Sequence, residues 1–95
     1  MVAERKQLFP LGQIVATTQC LAELEAAGQT PLEFIQQHAT GQWGLVCEED
    51  RQANEDALRN NERLLSVFKT KLGCKLYCIT EWDRSVTTLL CASEY

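Results

Sequence analysis

The last third of this chain leaves little freedom of fold. Between Arg63 and Cys91 the runs RLLSVFK, CKLYCIT and SVTTLL are rich in β-branched and aromatic residues and are separated only by short polar turns. Connections that short do not return a chain to a parallel neighbour, so the three runs predict an antiparallel meander. In the first run Leu65 and Val67 alternate with Leu64, Ser66 and Phe68, which makes both faces partly apolar, as in a strand with helices over one side. A turn at Lys71-Leu72-Gly73 follows. Leu76, Cys78 and Thr80 then share one face and Lys75, Tyr77 and Ile79 the other, before Trp82-Asp83-Arg84-Ser85 turns the chain into Val86 to Cys91.

The rest of the chain reads as a short β segment followed by three helices. Gly12-Gln13-Ile14-Val15-Ala16-Thr17 is a short apolar run suited to an edge strand or an extended lead-in. Thr17 or Thr18 caps a first helix that carries Leu21 and Leu24, and Gly28 ends it. In Thr30-Pro31-Leu32-Glu33 a threonine cap, a proline at the first helical position and a glutamate three residues after the cap predict a capping box. Leu32, Ile35 and Ala39 form the apolar face of this second helix, with Phe34 adjacent, and Gly41 stops it. Three acids after Cys47 suit the positive end of a third helix, which leaves through Asn60-Asn61. The expected fold is therefore α+β: a short N-terminal β segment and three helices packed on one face of a C-terminal, three- to four-stranded antiparallel sheet.

A chain of 95 residues makes one domain, 1–95, with residues 1–11 read as a flexible N-terminal arm. No apolar run is long enough to cross a bilayer, and MVAERKQLFPLGQ lacks the apolar core of a secretion signal, so the expected location is cytoplasmic. Five cysteines, an odd number without a CxxC pair, read as reduced and mostly buried thiols. Cys74 and Cys78 lie too far apart on a strand for zinc-ligand spacing, so neither a metal nor a cofactor is expected. The net charge of -4 is unevenly spread: Glu23 to Asp56 holds eight acids against Arg51, and Arg59 to Arg84 holds six bases against Glu62, Glu81 and Asp83. Such a split describes two complementary solvated faces or a locally basic side that attracts phosphate.

Two groups of residues bear chemistry. His38 is the only histidine, so any imidazole acid, base or ligand is this one; at the end of the second helix it also suits a dipole-capping cation. Thr80-Glu81-Trp82-Asp83-Arg84-Ser85 gathers two carboxylates, a guanidinium and two hydroxyls around one hairpin. The catalytic candidates are His38, Arg63, Thr80, Arg84 and Ser85, and the binding candidates are Trp43, Glu81, Trp82 and Asp83. Ser66, Ser85 and Cys47 are each available as a nucleophile for His38, and nothing in the sequence selects among them. There is no glycine-rich phosphate loop and no HExxH.

Taken together, LGQIVATxxxLxxLxxxGQxPLEF, QHxxGxWG, EEDxxxN, RLLSVF and ITExDRSVTTLL resemble a family of small bacterial proteins, often carried on plasmids or other mobile elements and labelled only as plasmid-related. The resemblance covers Leu11 to Tyr95 and departs at Thr18 and Ala92, where proline is expected. It implies no established activity. A second resemblance, at the level of fold, is to the barnase/RelE-type ribonucleases and toxins: helices, a histidine near a helix end, then a meander whose last strands carry a threonine. It implies metal-independent RNA cleavage with His38 as acid or base, Arg63 and Arg84 holding phosphate, and Thr80 or Ser85 positioning it. The acidic first half argues against such a footprint. The preferred expectation is an accessory or interaction protein of a mobile element, with a protein partner or self-association and no membrane; the alternative is an RNase acting on RNA.

Overall fold

The structure, a computed structural model, describes residues 6–95. Its elements run β1 (Gln13–Ala16), α1 (Thr18–Ala27), α2 (Pro31–Ala39), α3 (Glu48–Asn60), β2 (Leu64–Lys69), β3 (Lys75–Thr80), β4 (Val86–Cys91) and a 3-10 turn at Ala92–Glu94. The architecture is the expected α+β one, with a correction to the sheet. The strand order is β1-β4-β3-β2; the β2–β3 and β3–β4 pairs are antiparallel, whereas β1 lies parallel to β4. Parallel neighbours need a long crossover, and three helices and two strands intervene between β1 and β4. Gly12 sets the approach: at φ 65 it adopts a left-handed conformation, and a Cβ there would stand 2.3 Å from the Ser85 carbonyl oxygen.

Local signals explain most helix ends. Thr17 Oγ1 accepts from the Cys20 N–H at 3.2 Å, and Gly28 ends α1 in the left-handed region. At α2 the capping box does not form. Thr30 is the cap residue and Pro31 follows it, but the Thr30 side chain makes no capping bond, and the Glu33 carboxylate accepts from Gln29 Nε2 at 2.8 Å instead. Glu33 is exposed, so a neighbouring amide and water compete for it. Cys47 precedes α3, whose first turn holds Glu48, Glu49 and Asp50.

The helices all pack on one face of the sheet. From α1 and α2, Cys20, Leu24, Phe34 and Ile35 meet Phe68, Leu76, Cys78, Leu89 and Cys91. A second cluster, Phe9, Trp43, Ala57 and Leu64, joins the start of the chain and α3 to β2. The strand registers therefore put Leu64, Ser66, Thr80 and Thr87 on the helix side too, and turn Leu65, Val67, Tyr77, Ile79, Val86, Thr88 and Leu90 to the opposite face. Of the arm expected to be flexible, residues 1–5 lie outside the described residues, while Leu8 N–H donates to the Ala39 carbonyl at 2.9 Å and Phe9 is only 6% exposed. Among the described residues no helix is long and apolar enough to cross a membrane.

The outer edge of β2 is closed by side chain and loop. Asn54 on α3 donates through Nδ2 to the Leu65 carbonyl at 2.7 Å and accepts the Leu65 N–H through Oδ1 at 3.0 Å, imitating the peptide unit of a neighbouring strand. Two residues on, Val67 N–H donates to Trp43 O and Val67 O accepts from Leu45 N–H. Gly44 between them has φ 77, and a Cβ there would stand 2.0 Å from Val67 O. Only a glycine lets the two backbones come that close.

Candidate functional site

His38 sits where α2 crosses β2, β3 and β4, and it is wholly buried. Phe9 meets its ring edge-on at 5.3 Å between centroids and Trp43 does so at 5.7 Å. Nδ1 lies 2.5 Å from Ser66 Oγ on β2, and Nε2 lies 2.9 Å from Thr80 Oγ1 on β3. Thr80 Oγ1 is in turn 2.7 Å from Thr87 Oγ1 on β4, and the Thr87 hydroxyl donates to the Leu11 carbonyl at 2.7 Å.

The protons in this chain can be assigned by counting. A threonine hydroxyl has one hydrogen, and Thr87 gives its own to Leu11, so Thr80 must donate to Thr87. Thr80 then has only lone pairs for the ring, so His38 carries its proton on Nε2 and accepts the Ser66 hydroxyl at Nδ1. Every donor from Ser66 to the Leu11 carbonyl is used once and in one direction. The neutral ring satisfies this arrangement, whereas a protonated ring would present two donors and reverse the Ser66 hydroxyl. Burial first, and the nearby Arg84 guanidinium second, lower the His38 pKa from 6.5 to about 4. The dipole-capping reading of a cationic His38 gives way to this buried neutral ring.

Of the three nucleophiles the sequence left open, the structure brings Ser66 to His38. A serine donating to an imidazole is half of a nucleophile–base pair. Two features separate this pair from a working triad. The group beyond the ring is the hydroxyl of Thr80, which does not stabilise an imidazolium as a carboxylate does, and Ser66, His38 and Thr80 have no exposed surface.

The other candidates divide between support and surface. Arg84 holds a left-handed backbone at φ 60, and its guanidinium donates to the carbonyls of Glu62 at 2.6 Å, Ala57 at 3.0 Å and Glu81 at 3.2 Å. It thereby places its cation on the carbonyl end of α3, with its carbon 5.7 Å above the Phe9 ring. Trp43 is buried and donates through Nε1 to Glu55 at 3.0 Å. Arg63 faces outward, 3.8 Å from Glu81 and 5.6 Å from the centre of the Tyr95 ring. Asp83 accepts the Ser85 N–H at 3.1 Å and closes the hairpin, with bonding to Ser85 holding its carboxyl below the usual range. Ser85 and Trp82 are exposed at that turn. Thr80 thus joins His38, and the rest of the hairpin is aimed elsewhere.

No thiol supplies a reactive alternative within the core. Burial pushes Cys20 up to about 11 and both Cys78 and Cys91 up to about 12. Among the described residues no cluster of histidine, cysteine and acidic side chains has the geometry of a metal site. A cavity of about 590 Å³ lies beside α2, lined by Gln7, Leu32, Ile35, Gln36 and Thr40 among others, and neither His38 nor any residue of the hairpin lines it. Thr87 and Leu11 are the structural partners that the sequence did not single out; Asn54, an amide on the third helix that the sequence offered as a possible neighbour of the hairpin, is turned to the Leu65 backbone instead.

Fold and site define a two-layer α+β protein with a buried imidazole–hydroxyl relay under its helices and an apolar sheet face on its other side. Compared with known proteins, the chain finds no matching family model, no matching curated protein and no matching solved structure.

Proposed function

We propose that the protein is a non-catalytic interaction module whose working surface is the open face of the sheet. The observation that carries this reading is the composition of that face. Leu65, Tyr77, Val86 and Leu90 stand half-buried on it around the buried Val67 and Ile79; the C-terminal residue Tyr95 packs edge-on against Tyr77, and none of α1, α2 and α3 covers the face. A sheet with one solvated face ordinarily alternates to polar residues there, and an apolar face of this kind marks an interaction site. Lys69 and Lys75 pair across one end of it, and Arg63 stands at the other. The fitting partner is a protein with an apolar patch flanked by carboxylates.

Free thiols throughout the chain support a reducing, cytoplasmic setting. Association with mobile elements is supported by the resemblance carried by His38 to Gly44 and Ile79 to Ser85. The ribonuclease reading loses support from the burial of His38 and from the engagement of Arg84 with three carbonyls. Site-specific photo-crosslinking in a bacterial host separates the cases. A photoreactive residue at Tyr77 is expected to give one discrete protein adduct, weakened by Lys75→Glu, and the same residue at Glu49 on α3 none. An adduct from Glu49 alone, RNA in place of protein at Tyr77, or no adduct at either position overturns the reading.

A further inference from the structure

The two edges of the sheet are treated in opposite ways. On β2 the outward backbone groups of Leu65 are taken by the Asn54 side chain and those of Val67 by Trp43 and Leu45. On β1 they are bare among the described residues. Gln13 N–H donates to Ser85 O at 2.9 Å and Thr17 N–H to Leu89 O at 3.1 Å, so the odd-numbered residues face β4. By the alternation of a strand, Ile14 and Ala16 turn their N–H and C=O groups away from the sheet. Ile14 is 49% exposed and Val15 38% exposed, values that mark an open flank.

Edges of this kind are normally defended by charge, proline, a bulge or a very short strand. β1 is short, at four residues, but has none of the other defences: Gln13-Ile14-Val15-Ala16 is uncharged, proline-free and regularly paired on its inner side. We propose that a second copy of the chain occupies this edge, β1 running antiparallel to β1 across a two-fold axis, so that two four-stranded sheets become one.

Three observations favour a second copy over a foreign strand. The register is self-complementary: with Val15 on the axis, Ile14 of each copy exchanges both its hydrogen bonds with Ala16 of the other, and all the outward groups of the strand are paired reciprocally. The strand carries no charge, so two identical edges meet without repulsion. The β2 edge, occupied at Leu65 and Val67 with only the charged Lys69 left beyond them, disfavours growth past two copies. This edge is distinct from the open sheet face, so the pairing stands or falls independently of the function proposed above.

Sedimentation equilibrium of the full chain up to millimolar concentration tests the pairing. The expected result is a reversible species of twice the 10.7 kDa chain mass. Ala16→Pro removes one outward N–H from each copy while sparing the bonds to β4, and a proline is tolerated at such a position. It is expected to weaken association at least tenfold with an unchanged circular dichroism spectrum. Should that variant fold poorly, Val15→Cys decides: on the axis the two sulfurs face each other at a separation a disulfide can span, and mild oxidation is expected to give a 15–15 crosslinked peptide by mass spectrometry. Leu72→Cys, on the distant β2–β3 turn, should give none. A wild-type chain that stays monomeric, a dimer indifferent to Ala16→Pro, or the absence of the 15–15 link overturns the proposal.

Discussion

A single proton position organises the interior of this protein. Because Thr87 gives its hydrogen to Leu11, the polarity of the whole chain back to Ser66 is fixed, and His38 is held neutral. Unfolded, the histidine titrates near 6.5, and in the fold burial, followed by Arg84, lowers that to about 4. As pH falls, the unfolded chain takes up its proton first, so the fold loses stability from about pH 6.5 downward until the native ring itself titrates. Linkage puts the loss at about 1.4 kcal/mol by pH 5.5, still above the ordinary carboxylate range. Urea unfolding at pH 7 and pH 5.5 should show this fall in the wild type. His38→Asn, whatever its absolute stability, should show a much flatter response, because His38 is the only histidine in the chain. Equal slopes would mean that the ring is already solvated in the fold. The sequence displayed His38 and Thr80 as candidates, and it did not display their meeting: the partners lie 28 and 42 residues from the ring, and only the strand registers bring Ser66 and Thr80 beneath α2. For Arg84 the sequence suggested a solvated or phosphate-binding cation, because nothing local points to the carbonyl of Ala57, 27 residues earlier.

Among the elements, the meander was legible because period-two alternation and short turns are local properties, and β2, β3 and β4 fall within the three runs read from the sequence. The helix boundaries at Gly28 and Pro31 were legible for the same reason. The parallel placement of β1 was not, since four residues of strand do not encode which neighbour they join. Nor was the covering of the β2 edge, which depends on one amide of α3 meeting both backbone groups of Leu65 and on the Trp43–Leu45 loop meeting Val67. The Asn54 contact has a sharp consequence for substitution. Asn54→Asp preserves size and the acceptor for the Leu65 N–H, yet it turns a carboxylate oxygen toward the Leu65 carbonyl, where Nδ2 had donated. A buried carbonyl left without its donor loses about 1–3 kcal/mol, whereas an ordinary surface replacement stays within about 0.5 kcal/mol. The urea midpoint of Asn54→Asp at pH 7 should therefore fall by an amount equivalent to about 2 kcal/mol. An unchanged midpoint would show that water reaches this edge and that Asn54 is dispensable.

At the scale of the molecule, the buried polar chemistry and the apolar sheet face are on opposite sides. The imidazole, Ser66, Thr80 and Thr87 lie under the helices without exposure, while the opposite face carries mainly aliphatic and aromatic side chains, half-buried at Leu65, Tyr77, Val86 and Leu90 and buried at Val67 and Ile79, with cations at its ends. The acids of α3, Glu48, Glu49, Asp50, Glu55 and Asp56, give the helical layer a negative surface that repels a polyanion. A ribonuclease of the suggested type would need the scissile phosphate within hydrogen-bond reach of His38. That approach would displace the Phe9 and Trp43 rings, both packed against the imidazole, and leave buried hydroxyls unpaired, a penalty of several kcal/mol before any chemistry begins. It would also begin from a ring whose lowered pKa makes it a weak base at neutral pH. Purified protein incubated with single-stranded RNA in EDTA is therefore expected to leave the RNA intact at neutral pH, with no difference between the wild type and His38→Asn. Cleavage that the wild type performs and His38→Asn lacks would show that the helical layer opens to admit RNA, and the relay from Ser66 to Leu11 would then have to be read as a catalytic device held closed in the resting fold.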